Sequence, residues 1–141
     1  MSGELVEKLM HRAQVFLREA RRLLSEGVYD LACFSAEQAA QLYVKAVILK
    51  LFGETQRTHG VRELLGYLAR KLAEHGYRDA STLISDFVRE HRALLSMLED
   101  AYIDARYGST TFSRDDAERA INVVDALIKV LDQVIKLVWM G

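Results

Sequence analysis

The stretch of sequence that decides the fold is VYDLACFSAEQAAQLYVKAVILKLF, residues 28 to 52. In a helix, one of its sides carries Leu31, Phe34, Gln38, Leu42 and Leu49, and another carries Ala32, Ala36, Ala39, Ala40, Tyr43 and Val47. A helix that is apolar on most of its sides is usually buried on most of its sides. We therefore predict a central core helix, closely approached by its neighbours at the alanines and ended by Gly53.

Segments before and after this helix also have helical periodicity. An amphipathic helix is predicted from about residue 4 to residue 26, and Gly27 is expected to end it. The segment from Glu54 to Gly60 is predicted to be a loop, and a shorter helix is predicted from His59 or Gly60 to Glu74, with Thr58 as its N-cap.

Two more helices are predicted in the second half of the chain. The fourth is expected to begin at a cap formed by Asp79 or Ser81 and to run to about Ala105. The last is expected to be capped by Ser113, with Asp116 completing a variant of the capping box. The predicted fold class is thus all-α: an up-and-down bundle of four long helices plus one short helix.

The composition fits one intracellular domain. The 141 residues, half of them hydrophobic, can form one core without disulfides, and the absence of proline permits long helices. The net charge of −1 excludes a strongly basic, histone-like nucleic-acid binder but not a local basic patch. A lone cysteine, Cys33, fits a reducing cytosol. We see no signal peptide, and Lys45 and Lys50 interrupt the longest apolar run, so no membrane span and a cytoplasmic location are expected.

Most catalytic signatures are missing from the sequence. It has no cysteine pair for a thiolate zinc site, no His-Glu-x-x-His, no Walker loop and no nucleophile elbow. The four histidines have no ligand spacing, so we expect neither a metal nor a cofactor. Gln38 stands out on the central helix because a glutamine on an apolar face needs hydrogen-bond partners.

Two short segments each allow a structural and a functional interpretation. Thr58-His59-Gly60 fits helix capping, but free N–H groups beside an imidazole could also hold an anion. Residues 102 to 108, YIDARYG, could simply place Arg106 at a helix C-terminus, where a cation is favourable. The same segment combines a guanidinium for phosphate with the stacking faces of Tyr102 and Tyr107.

Together these features resemble the HEPN family (higher eukaryotes and prokaryotes nucleotide-binding domain), over nearly the whole chain. The resemblance is carried by Tyr29-Asp30, Ala32, Phe34, Gln38-Ala39-Ala40, Lys45-Ala46, His59, Leu64-Leu65 and Arg106-Tyr107, in that order. It implies a single HEPN-like bundle of four or five helices over residues 1–141, often paired as a homodimer. It also implies binding of nucleotides or RNA, and many prokaryotic members are encoded beside a minimal nucleotidyltransferase with which they can act as toxin and antitoxin.

Other HEPN members are ribonucleases that carry an arginine followed, after four to six residues, by a histidine. Here Arg106 is followed by YGSTTF, without a histidine in reach. Arg70 and His75 have the right count but lie in the third segment, and His91 follows Arg89 too closely, so we interpret these pairs as chance matches. Without that histidine, proton transfer during RNA cleavage has no obvious donor.

Our leading hypothesis is therefore a HEPN-like protein that binds nucleotide or nucleic acid and works with a minimal nucleotidyltransferase partner. Its predicted contacts are Lys45, His59, Tyr102, Arg106 and Tyr107, and no catalytic residue is assigned. One alternative is a metal-independent ribonuclease toxin that uses Arg106. The other is a structural, dimeric helical scaffold.

Two surface features bear on these alternatives. Arg12, Arg18, Arg21 and Arg22 of the first helix could form a local basic patch or simply a solvated face. The apolar end of the last helix, with Trp139 and Met140, suits a homodimer interface, although Trp139 could instead cap the core.

Overall fold

A computed structural model describes residues 2–104, 107–108 and 111–140, and these residues form six helices and no strand. The helices are α1 (Ser2–Ser25), α2 (Tyr29–Phe52), α3 (Val61–Glu74), α4 (Arg78–Glu90), α5 (Arg92–Asp104) and α6 (Arg114–Met140). The all-α class is confirmed, but the bundle has three long helices and three short ones. The predicted arrangement of four long helices plus one short helix is wrong.

The difference arises at His91, where the predicted fourth helix divides into α4 and α5. The backbone of His91 departs from helical geometry, with φ −116° and ψ 24°, and its ring packs against Phe87 at a centroid distance of 4.3 Å. The apolar periodicity continues from Phe87 across His91 to Leu95, and no glycine or proline marks the break. Periodicity alone therefore predicted one helix where the chain bends.

The central helix α2 contacts α1, α3, α5 and α6, as its composition predicted. Its alanine face is almost wholly buried; this face consists of Ala32, Ala36, Ala39, Ala40, Tyr43 and Val47. The other side predicted to be apolar is less buried: Leu31 is 44% exposed, and Phe34, Gln38 and Leu42 are half-buried. The small side chains allow neighbouring backbones to approach closely, and of the five residues predicted on the other side only Leu49 is buried.

The predicted helix ends are confirmed for α1 and α6. Gly27 ends α1 in a left-handed conformation, with Val28 N–H donating to the Leu23 carbonyl at 2.9 Å. Ser113 and Asp116 form the expected reciprocal cap of α6, at 2.9 and 3.1 Å.

The predicted caps of the shorter helices are wrong. Gly60, not Thr58, is the N-cap of α3, and Tyr77, not Asp79 or Ser81, is the N-cap of α4. Neither helix has a side-chain cap; α3 packs against α2 and α4, and α4 packs against α3 and α6. Among the described residues, no helix is both long and apolar enough to span a membrane.

Candidate functional site

Three of the predicted contact residues meet on one surface, where the middle of α2, the α2–α3 loop and α5 come together. Lys45 Nζ of α2 lies 3.4 Å from Nδ1 of His59 in the loop. The His59 ring stacks on the Tyr102 ring of α5, with 5.9 Å between centroids and 28° between planes. We call Lys45, His59 and Tyr102 the surface cluster; His59 is exposed, and the other two are half-buried.

The path of the α2–α3 loop explains why residues so far apart in sequence meet. Gly53 adopts φ +68°, a conformation that favours glycine, and this turns the chain back along α2. Glu54 then fixes the loop to α3 by accepting a hydrogen bond from Tyr67 and pairing with Lys71 at 3.2 Å. His59 is thereby brought beside Lys45.

Glu37 lies beneath the surface cluster and was missed by the sequence analysis. Its side chain is completely buried, and its two carboxylate oxygens accept hydrogen bonds from Gln38 Nε2 at 2.8 Å and Gln41 Nε2 at 2.5 Å. Burial raises the pKa of Glu37 to about 7, although both amide hydrogen bonds and Lys45 act in the opposite direction. Gln38, predicted to need a partner, thus has one in Glu37.

Gln41 connects the buried carboxylate to the surface. Its Nε2 faces Glu37, and its Oε1 lies 3.3 Å from Nδ1 of His59. Glu37, Gln41 and Lys45 follow one another at intervals of four residues along α2, and we call them the polar stripe. The sequence signal was an acidic residue with two nearby glutamines inside an otherwise apolar helix, but a glutamate in a helix is ordinarily assigned to solvent.

Lys45 is the cation of the surface cluster. Burial lowers its pKa, and the nearby Glu37 partly offsets that effect. An ammonium that is already partly desolvated loses less hydration when it binds an anion than a fully exposed one does. The position therefore suits contact with a phosphate.

The remaining two predicted contacts are not part of this geometry. Tyr107 lies in the turn after α5 and is 75% exposed, and within the described part of the chain it makes no ring contact with the surface cluster. Arg106 lies outside the described residues.

Arg70 and His75, which we interpreted as a chance match to the ribonuclease pattern, contact different aromatic rings. The Arg70 guanidinium lies 5.9 Å from the ring of Tyr67, whereas His75 stacks on Phe52 at 5.0 Å. Among the residues that the structure describes, no three His, Cys, Asp or Glu side chains are grouped to hold a metal ion.

Comparison with known proteins identifies the family. A family model, HEPN domain, matches residues 6–134. The chain belongs to the HEPN family. Its fold is similar to the crystal structure of TT1696 from Thermus thermophilus, with a TM-score of 0.68 and 22% identity over 92% of this chain and 97% of that one.

A second solved structure agrees with this assignment. The HEPN fold of this chain is also similar to ST0689, an archaeal HEPN homologue, with a TM-score of 0.62 and 25% identity, again over 92% of this chain and 97% of that one. No curated protein matches the chain significantly.

Proposed function

We propose that this HEPN protein binds a nucleotide or a nucleic acid at the surface cluster, with Arg106 and Tyr107 as further contacts. The observation that supports the proposal most directly is the meeting of Lys45, His59 and Tyr102 on one surface, although they come from three separate segments. An ammonium can bind a phosphate, and the exposed ring of His59, which is stacked on Tyr102, offers a stacking face to a base.

The arrangement favours a ligand that carries both a phosphate and a base. Lys45 lies beside the His59 ring, and that ring continues through Tyr102 to Phe34, whose centroid is 6.4 Å from Tyr102. A row of stacked rings beside a cation resembles the aromatic and basic surfaces on which single-stranded nucleic acids bind. The exposed Tyr107 adds a second stacking face near the end of α5.

The proposal includes a protein partner. We propose that the chain works with a minimal nucleotidyltransferase in the cytoplasm, as a toxin–antitoxin pair, because its motifs resemble those of HEPN members encoded beside such enzymes. The sequence after Arg106 lacks the histidine of HEPN ribonucleases, which favours a binding role over a catalytic one. Copurification of the chain with the product of its genomic neighbour tests the partner directly.

Calorimetric titration with ATP and with a short single-stranded RNA tests the ligand. The Lys45→Met variant keeps the apolar stem of the side chain and removes its charge, and we expect it to weaken binding about 10- to 100-fold, the usual effect of losing one charge-assisted hydrogen bond. Lys129→Met, at an exposed lysine of α6, is the matched control and should bind as the wild type does. If the wild type binds neither ligand, alone or with its partner, the proposal is wrong. Cleavage of the RNA during the titration would instead favour the ribonuclease alternative.

The end of α6 supports the homodimer that we also propose. Trp139 is 64% exposed and Met140 is 84% exposed, so Trp139 does not cap the core. Its ring instead lies under Lys50 Nζ, at 4.3 Å. Exposed large apolar side chains of this kind are enriched in protein interfaces. Light scattering that shows only the 16.0 kDa monomer would exclude the dimer.

A further inference from the structure

The orientation of the Gln41 amide is set by Glu37. An ionised carboxylate can only accept hydrogen bonds, so the amide must turn its Nε2 toward Glu37, and the two groups lie 2.5 Å apart. Its Oε1 is then forced to face His59. The hydrogen-bonding neighbours of a glutamine decide which end of its amide faces which group, and here the buried carboxylate selects one orientation.

Nδ1 of His59 has two competing neighbours. Gln41 Oε1, at 3.3 Å, is an acceptor and requires a proton on Nδ1. Lys45 Nζ, at 3.4 Å, is a donor when charged and requires a lone pair on Nδ1. The two hydrogen bonds exclude each other, so the orientation of Gln41 decides between the two imidazole tautomers.

We propose that Glu37 is a positioning residue: by holding the Gln41 amide in one orientation, its carboxylate keeps a proton on Nδ1 of His59 and leaves Nε2 as a hydrogen-bond acceptor for the ligand. The buried carboxylate thus sets the tautomer of an exposed ring that it does not touch. The identity of the ligand rests on the function proposed above, whereas the tautomer is a property of the free protein.

In this arrangement His59 and Lys45 contact different chemical groups of the ligand. Nε2 makes no hydrogen bond to the described residues, and the ring is exposed, so its lone pair can accept a hydrogen bond from a hydroxyl or amino group of the ligand. Lys45 cannot donate to a protonated Nδ1, so its ammonium remains available for a phosphate. The site therefore selects a ligand that brings a donor to His59 and an anion to Lys45, as a nucleotide does.

The charges around Glu37 affect its pKa and therefore the pH range in which it fixes the orientation of the Gln41 amide. The charges that act on its pKa are Lys45 on the same helix, which lowers it, and Glu99 of α5, which raises it and is itself paired with Arg62 of α3. Above the pKa of Glu37, both amides must donate to it. A protonated Glu37 would instead need an acceptor, so Gln38 or Gln41 could turn over and the selection would weaken.

The tautomer of His59 can be measured without ligand by long-range ¹H–¹⁵N correlation spectra at about pH 8.5, well above the pKa of Glu37. The His59 signals are identified by their loss in His59→Gln. We expect the Nδ1–H form to predominate in the wild type and that preference to be lost in both Glu37→Gln and Gln41→Met. Gln38→Met is the matched control, because it removes the other amide on Glu37 without touching the path to His59.

Two outcomes would overturn the proposal: one tautomer ratio shared by all four proteins, or a change in Gln38→Met as large as that in Gln41→Met. Because Glu37→Gln and Gln41→Met interrupt the same path at different residues, either variant can test the proposal if the other fails to fold.

In a separate calorimetric experiment, Glu37→Gln should bind ATP about three- to tenfold more weakly, the usual effect of losing one hydrogen bond. Failure of the wild type to bind ATP or RNA would contradict the proposed function but would leave the tautomer measurement valid.

Discussion

The alanine face and the polar stripe belong to the same helix but contribute in opposite ways. The alanine face places small side chains in the core, where Ala36, Ala39 and Ala40 have no exposed surface. The polar stripe places a carboxylate at the same depth, which is unfavourable unless every polar atom has a partner. Helix α2 is therefore not simply a core element, because its polar stripe connects a buried carboxylate to an exposed histidine and a half-buried lysine.

The largest expected effect comes from removing the carboxylate of the polar stripe. The pKa of Glu37 is raised to about 7 in the folded protein, so between its ordinary pKa and about pH 7 the folded protein is protonated at Glu37 whereas the unfolded chain is ionised there. Its contribution to stability is therefore fully present at pH 4 and below, and it is lost as the pH rises to 7. We expect Glu37→Gln to unfold like the wild type at about pH 4 and to be more stable by about 3 kcal/mol at pH 8.

Urea denaturation of both proteins across that pH range measures the difference. Using the difference between the two proteins cancels the pH dependence of the other carboxyl groups. Glu54, whose pKa is lowered by its hydrogen bonds to Tyr67 and Lys71, would otherwise act in the opposite direction. An equal loss of stability at all pH values would mean that Glu37 is a structural requirement rather than a group retained for function.

A medium effect is expected on the alanine face. Ala36→Leu would add three carbon atoms at a position with no exposed surface, and overpacking of this kind destabilises a protein by about 1 to 3 kcal/mol. The matched control is Leu31→Ala on the less buried side of α2, where 44% exposure predicts a loss of less than about 1 kcal/mol. Equal losses from the two variants in thermal or urea unfolding would show that the two sides do not differ in packing.

The sequence alone predicted the burial of the alanine face, but it did not predict the polar stripe. Periodicity and alanine content predicted that α2 is central, because burial of a helix depends on its own composition. The same reasoning did not find the break at His91, since a half-buried histidine continues the apolar stripe there. It also overlooked Glu37, because the partners that make its burial tolerable are recognisable only when the side chains have been placed.

The candidate site was predicted in part. Lys45, His59 and Tyr102 were each selected from local pattern and family resemblance, and the structure brings them together. Their meeting depends on the turn at Gly53 and on the separation of α5 from α4. Neither feature, read from the sequence alone, gives the distances between the three side chains. The role of Gln41 was not predicted, because its importance lies in facing a carboxylate on one side and an imidazole on the other.

The smallest effect concerns the one polar atom of the alanine face. The hydroxyl of Tyr43 donates to Oδ1 of Asp132 on α6 at 2.5 Å, and burial and this carboxylate raise the pKa of the phenol. We expect Tyr43→Phe to lose about 1 kcal/mol, with the ring still packed in the core, because a single hydrogen bond contributes about that much. A double-mutant cycle with Asp132→Ala isolates this bond, and a coupling energy near zero would show that the alanine face is held by packing alone. The phenol is neutral and an ordinary aspartate is ionised throughout pH 6 to 8, so we expect the effect of Tyr43→Phe to be the same at pH 6 and pH 8. A polar group on either face of α2 can thus be buried, but of Tyr43 and Glu37 only Glu37, with its pKa near 7, makes stability change with pH near neutrality.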